Sequence, residues 1–197
     1  MTLISKRTRI AKLIPMLAVW LMASAAIAAP EAYRLQPDQS TVGFETNFGA
    51  DKINGTMPIT SANLMLDFAH VQGCKVAVTL NAAGSEASFP FAAQAMRGPK
   101  VLDTAEFPNI SFVSTSVTPQ AEGATVAGNI TIRGVTKPAS FHAEIYRQQG
   151  TVAGDLSHLS IRLTGEIQRS NFGAVGWNDM VGDAVRLNIL ARIERAN

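Results

Sequence analysis

Histidine and cysteine side chains are common sources of bases, nucleophiles and metal ligands, and this sequence has few of them. The three histidines, His70, His142 and His158, lie far apart, and no His-x-x-Glu or Cys-x-x-Cys pair occurs. His142 and His158 fall on the polar faces of predicted strands, where a solvated surface role is expected. The sequence therefore predicts no catalytic residues, no metal site and no cofactor.

The other reactive side chains are isolated as well. Cys74 is the single cysteine, and it starts an apolar strand face, which favours a small buried hydrophobic residue over a reactive or intermolecular thiol. Asp103 and Glu106 flank a predicted loop, and acid–base catalysis would need them to face each other. Arg133 and Arg169 each end a strand beside a turn, where an arginine binds an anionic head group or, more often, is exposed or pairs with a loop carboxylate.

The first residues have the order typical of a secretory signal peptide. Four cations within residues 6–12 precede an apolar run at 13–22, and small residues follow, ending in Ala-Ile-Ala at 26–28. We therefore predict a cleaved signal peptide at residues 1–28 and one domain at residues 29–197. A membrane anchor is the alternative, but the apolar stretch is shorter than the roughly 20 residues that a spanning helix needs.

Removing residues 1–28 changes the sign of the net charge. The whole chain has 17 Lys and Arg against 15 Asp and Glu. All four cations of the predicted signal peptide leave with it, so the remaining domain is mildly acidic. No basic stripe is left to neutralise phosphates, which argues against a nucleic-acid partner. We predict an exported protein of a bacterial periplasm.

Apolar and polar residues alternate over most of this domain, which predicts half-buried β-strands. The alternation is clearest at residues 159–167, 185–193, 74–80 and 126–132, and weaker at 42–48, 53–59, 64–68, 110–116 and 139–146. Short Gly-rich links between strands favour antiparallel neighbours. One short helix is predicted at Phe89–Arg97, ended by Gly98-Pro99. The fold class is all-β, either a sandwich or a closed barrel.

Three glycines, Gly55, Gly128 and Gly165, lie on apolar strand faces. Because glycine has no side chain, they indicate either an interior with spare room or bulges around a filled core, and the residues alone leave both open. Alternation also leaves open whether the apolar faces point inward. The domain has too few Tyr and Trp residues for the aromatic girdles of an outer-membrane barrel, so we predict that the apolar strand faces point inward.

Several longer segments resemble the YceI-like family of bacterial periplasmic proteins. They are YRLQPDQSTVGF at 33–44, DTAEFPNISF at 103–112, GNITIRGVTKP at 128–138, RSNFG at 169–173 and VGD at 181–183. The chain departs from the family at Gln39 and Asn47, where members often carry histidine, and it lacks the usual Asp-x-His-Leu before Leu102. The resemblance implies an eight-stranded, lipocalin-like antiparallel barrel around a long apolar tunnel, without established catalytic residues.

The resemblance also implies a ligand: a long isoprenoid chain, including isoprenoid quinones, or another amphiphilic lipid. The alternatives are an accessory stress or redox protein that docks transiently on a membrane quinone system, and an enzyme acting on a lipid-like substrate. A homodimer is left open. The residues expected to contact the ligand lie on apolar strand faces, on the helix, where two side chains would close one end, or at glycines that would widen the bore: Phe44, Leu64, Leu66, Val76, Val78, Phe112, Ile130, Ile132, Phe141, Leu163, Phe91, Met96, Gly128 and Gly165.

Overall fold

The computed structural model describes residues 29–196, so the predicted signal peptide lies outside the described residues. This part of the chain is built from strands, one α-helix and three short 3-10 turns at Pro37–Gln39, Val71–Gly73 and Arg169–Phe172. In chain order the elements are β1 (Glu31–Leu35), β2 (Thr41–Phe48), β3 (Asp51–Met57), β4 (Ile59–Leu66), β5 (Lys75–Asn81), β6 (Glu86–Ala87), α1 (Pro90–Arg97), β7 (Asn109–Pro119), β8 (Ala124–Ile132), β9 (Val135–Arg147), β10 (His158–Gln168) and β11 (Val181–Arg195).

The sheet closes on itself through the last strand. Its order is β1-β4-β5-β7-β8-β9-β10-β11, and β11 pairs back to β1, so that Tyr33 lies opposite Arg195. Strand β2 continues the path of β1 along the wall and pairs with β11. Strand β3 continues the path of β4 and pairs with β2. All these pairings are antiparallel. The predicted eight-stranded antiparallel barrel with one helix is therefore confirmed, with β6 added at the edge of β3.

Two of the eight wall strands are interrupted, and each interruption keeps its hydrogen bonds. Pro58 separates β3 from β4, and its carbonyl oxygen accepts a bond from the Asn81 N–H at 2.8 Å. Ser40 lies between β1 and β2. Its hydroxyl donates to the carbonyl of Gln36 at 2.7 Å and accepts from the backbone N–H of Arg192 at 2.9 Å. The wall therefore stays continuous where the backbone bends.

The connections alternate between the two ends of the barrel. One end, called the helix end below, carries α1, the β8–β9 turn and the loop at 173–180. The far end carries the connections at 67–74, 120–123 and 148–157. Each end has its own buried cluster, with Leu102 and Phe172 at the helix end and Leu159 and Ile193 at the far end. The apolar strand faces point inward, as predicted.

Among residues 29–196, no helix has both the length and the apolar character that a membrane crossing requires.

Candidate functional site

A cavity of about 1090 Å³ occupies the barrel interior. That volume is at the upper limit of the range of roughly 300–1,000 Å³ typical of small-molecule sites. Its wall runs from Phe91 and Trp177 at the helix end to Val71 and Ile145 at the far end. The two buried clusters therefore do not merge into a filled core. The strand glycines were compatible with a filled core or with an interior that has spare room, and the structure has the spare room.

Apolar side chains make up nearly all of the cavity wall. The polar side chains in it are Thr46, Gln94, Lys100 and Arg169, apart from the thiol of Cys74. The Thr46 hydroxyl lies between the carbonyl oxygens of Gly182 and Ala184, at 3.1 and 3.0 Å. These four polar residues belong to the helix end. The interior thus offers an apolar chain a long hydrophobic surface, with polar groups near one end.

The structure places nearly all of the predicted ligand-contacting residues in this wall. Ten of them project from the strands, and they are Phe44, Leu64, Leu66, Val76, Val78, Phe112, Ile130, Ile132, Phe141 and Leu163. The two helix residues, Phe91 and Met96, also line the cavity. Met96 packs against the buried cluster of the helix end, whereas the Phe91 side chain is 83% exposed. Met96 therefore narrows this end, and Phe91 lies at its outer edge.

Gly128 and Gly165 are not in the cavity wall, which corrects the prediction that they widen the bore. A Cβ atom at Gly128 would lie 2.5 Å from Cζ of Phe112, and one at Gly165 would lie 2.6 Å from Cδ1 of Phe141. Each phenyl ring therefore covers a glycine on a neighbouring strand. The two rings meet edge to face, with centroids 5.2 Å apart. The glycines make room for the rings, and the rings form the wall.

Arg169 is buried in the wall at the helix end, and its guanidinium is bound to backbone. Nη1 donates to the carbonyls of Ala174 and Gly176 at 2.5 and 2.8 Å. Nε and Nη2 donate to those of Gly182 and Val181, both at 2.9 Å. Arg169 is therefore neither the exposed charge nor the carboxylate partner that was expected more often at this position. It fixes the loop at 173–180 and the start of β11, which border the cavity.

Arg133 ties this loop to the segment after α1. Its Nη1 donates to the carbonyl of Gly173, and its Nη2 donates to that of Pro99 at 2.8 Å. Gly176 adds a backbone bond to the carbonyl of Lys100 at 2.8 Å. Sequence reasoning placed both arginines at strand ends but missed their backbone partners, which lie up to 40 residues away.

Residues 33–193 match the family described as the YceI-like domain. The chain belongs to this family. Protein YceI of Salmonella arizonae is 27% identical over 124 residues, which are 62% of this chain and 65% of that protein. The alignment therefore spans just under two thirds of that relative. The resemblance read from the sequence motifs is confirmed.

Solved structures show the same YceI-like fold. BcnA of Burkholderia cenocepacia superposes with a TM-score of 0.72 at 18% identity, covering 81% of this chain and 99% of that one. A polyisoprenoid binding domain from Saccharophagus degradans, implicated in plant cell wall breakdown, gives a TM-score of 0.59 at 10% identity, covering 84% and 99%. At these identities the likeness concerns the fold.

Of the positions at which the sequence was expected to depart from the family motifs, Gln39 and Asn47 lie outside the cavity, whereas residues 99–101 line it. Gln39 and Asn47 are exposed, and neither side chain lines the wall. His142 and His158 are also exposed, on the polar faces where they were expected. Within residues 29–196, no group of three or more His, Cys, Asp or Glu side chains is arranged to hold a metal ion.

A compact turn closes part of the far end of this YceI-like barrel. The buried carboxylate of Asp67 accepts hydrogen bonds from the N–H groups of Ala69 and His70, both at 2.9 Å. The His70 N–H is the main reason that the pKa of Asp67 lies below its usual value. Cys74 lines the cavity, accepts a bond from the Asp67 N–H at 3.2 Å, and has a pKa raised by burial. Hydrogen bonds to one carboxylate and one sulfur thus hold this turn.

Proposed function

We propose that this protein is a periplasmic carrier that holds a long isoprenoid or similar amphiphilic lipid inside its barrel. The observation that carries the proposal is the apolar cavity, which extends from the far end to an edge of exposed side chains at the helix end. The signal-peptide pattern of residues 1–28 supports the compartment. The ligand class is supported by the family and by the polyisoprenoid binding domain that shares the fold.

The cavity volume supports a long ligand. About 1090 Å³ packed at the density of a protein interior holds on the order of 40 carbon atoms. Burying several hundred Å² of such a chain contributes on the order of 10 kcal/mol before the costs of ordering it. Because burial is non-directional, chains of differing length and saturation fit the same wall.

The polar end of the ligand lies at the helix end in this proposal. The exposed side chains of Gln94 and Lys100 are the wall residues there whose polar groups reach solvent. Polar groups at the edge of an apolar pocket are the usual determinants of head-group selectivity. The tail then extends toward Val71 and Ile145 at the far end.

The test is the lipid content of protein purified from the periplasm, measured by native mass spectrometry. Ala62 faces the cavity and its neighbour Asn63 is exposed on the outer wall. We expect Ala62→Trp to lose the lipid or to retain a shorter one, because the indole fills the bore. Asn63→Trp is the matched control and keeps the wild-type lipid. Wild-type protein that carries no lipid and takes up no added polyprenol would overturn the proposal.

A further inference from the structure

Five large apolar side chains are exposed around the helix end of the cavity, and we call them the rim. The rim consists of two residues beside or in α1 and three in the loop that Arg169 and Arg133 fix: Phe89, Phe91, Val175, Trp177 and Met180. All but Val175 also line the cavity. The rim is therefore the outward continuation of the apolar wall.

The loop structure holds part of the rim out of the core. Trp177 has a φ of 53°, a left-handed conformation that is uncommon for a bulky residue. Its carbonyl accepts bonds from the N–H groups of Met180 and Val181 at 3.1 and 2.7 Å. The backbone around this exposed indole is thus hydrogen-bonded in place. Contiguous exposed apolar side chains are typical of a surface that contacts another apolar phase or a partner.

Two exposed cations lie beside the α1 part of the rim. They are Arg97, at the end of α1, and Lys100, whereas the loop part of the rim carries the carboxylate of Asp179. In the described part of the chain, these cations have no carboxylate within salt-bridge distance. On the outer wall, in contrast, Arg186 pairs with Glu45 at 2.8 Å. The α1 part of the rim therefore combines exposed aromatic side chains with two exposed cations.

We propose that the rim docks on the surface of a bilayer that contains anionic phospholipids, and that the ligand passes between this bilayer and the cavity. Aromatic side chains flanked by cations are suited to the boundary between head groups and acyl chains. Because the cavity opens inside the rim, whatever binds the rim must let a lipid pass into the cavity. A bilayer does so, whereas a protein that covers the opening does not. This inference rests on the proposed carrier function.

The test compares two valines that receive the same substitution. Val175 belongs to the rim and is 55% exposed, and Val152 lies in the far-end connection and is 73% exposed. Neither lines the cavity. Binding of the exported protein is measured by co-sedimentation with vesicles of equal parts phosphatidylglycerol and phosphatidylcholine. We expect Val175→Glu to weaken binding roughly tenfold, because it places a charge at an apolar, anionic surface, whereas Val152→Glu binds as wild type does.

Lipid composition and a second rim variant extend the test. Phosphatidylcholine vesicles without the anionic lipid should bind wild-type protein several-fold more weakly, and Phe91→Glu should reproduce the defect of Val175→Glu. The inference would be overturned if wild-type protein did not bind the anionic vesicles, or if the two valine variants bound them equally. A dimer in solution that Val175→Glu dissociates, without vesicle binding by wild type, would also overturn it and assign the rim to a second copy of the chain.

Mass spectrometry on the same samples separates this inference from the function on which it rests. Val175→Glu should keep the wild-type lipid, because the side chain lies outside the cavity wall. Lipid-loaded protein that does not bind vesicles contradicts the docking inference and leaves the carrier function standing. Lipid-free wild-type protein contradicts the carrier function itself.

Discussion

Arg169 shows how one side chain can organise the border of a cavity through hydrogen bonds to the backbone. A guanidinium has donors in a fixed planar fork, and here they reach four carbonyl oxygens, two in the loop at 173–180 and two at the start of β11. Each of those carbonyls would otherwise need another partner. Arg169 is therefore a structural element of the helix end.

We predict that Arg169→Lys lowers the free energy of unfolding by about 2–4 kcal/mol, because a single ammonium cannot replace the fork and leaves buried carbonyls without donors. Urea denaturation measures the change. Arg186→Lys is the matched control, since Arg186 is an exposed partner of Glu45 and should change stability by less than about 1 kcal/mol. Equal losses in the two variants would contradict the structural role of Arg169.

Asp67 predicts a dependence of stability on pH. Its pKa is lowered in the folded protein, chiefly by the N–H of His70, so the folded state releases the proton more readily than the unfolded chain does. The stabilisation is therefore complete at neutral pH and is lost as the pH falls through the lowered pKa. In Asp67→Asn this contribution is absent, and the melting temperature should fall less steeply than that of wild type below about pH 4.

The melting temperatures of both proteins, measured across this acidic range, check the prediction. The pKa values of Glu45 and Asp155 are also lowered in the folded protein, so both curves should fall. The difference between the curves isolates Asp67. Curves that stay parallel from neutral pH downward would show that the Asp67 carboxylate does not stabilise the far-end turn.

Among the elements, β9 and β10 show how a glycine and a phenyl ring depend on each other. Gly165 lies directly opposite Phe141 in the register of the two strands. A methyl group on Gly165 would meet the ring at 2.6 Å and the carbonyl oxygen of Ser140 at 3.0 Å. The ring can turn into the cavity, but the backbone has less freedom to move.

We therefore predict that Gly165→Ala destabilises the barrel by about 1–3 kcal/mol. Combined with Phe141→Leu, the loss should be smaller than the sum of the single losses by at least about 0.5 kcal/mol, because the clashing ring is gone. Gly73→Ala is the control, since its nearest contact would be an ordinary 3.5 Å. Denaturant unfolding of these variants measures the coupling, and additive losses would argue against it.

The strands show how far alternation predicts elements. The regular alternation at 159–167 predicted β10, which spans His158–Gln168. The predicted helix differs from α1 by one residue. The strand predicted to begin at residue 139 begins at Val135 in the structure, as β9. Pro138 lies within this strand, opposite Asn129. Proline is disfavoured inside strands, so a sequence pattern stops at it. Strand β6 has two residues, too few to produce a periodic signal.

At the scale of the whole molecule, the sequence predicted the wall better than the space inside it. Alternation fixes which side chains face inward, and Phe44 and Leu163 are in the wall as expected. Whether those side chains fill the interior depends on the radius of the barrel, which follows from strand number and stagger. Both are set by pairings such as Tyr33 with Arg195. No local segment contains that information, so the open interior became predictable only through the family resemblance.

The pairing of β11 with β1 and β2 also determines when an interior first exists. Arg34 and Glu194 meet across the closing seam although 160 positions separate them in the chain. Contacts between such distant residues form late and slow the folding of a domain. Until Val181–Arg195 has joined both edges, the remaining strands form an open sheet that encloses nothing. A lipid carried as proposed is therefore enclosed at this last folding step or enters afterwards through an end of the barrel.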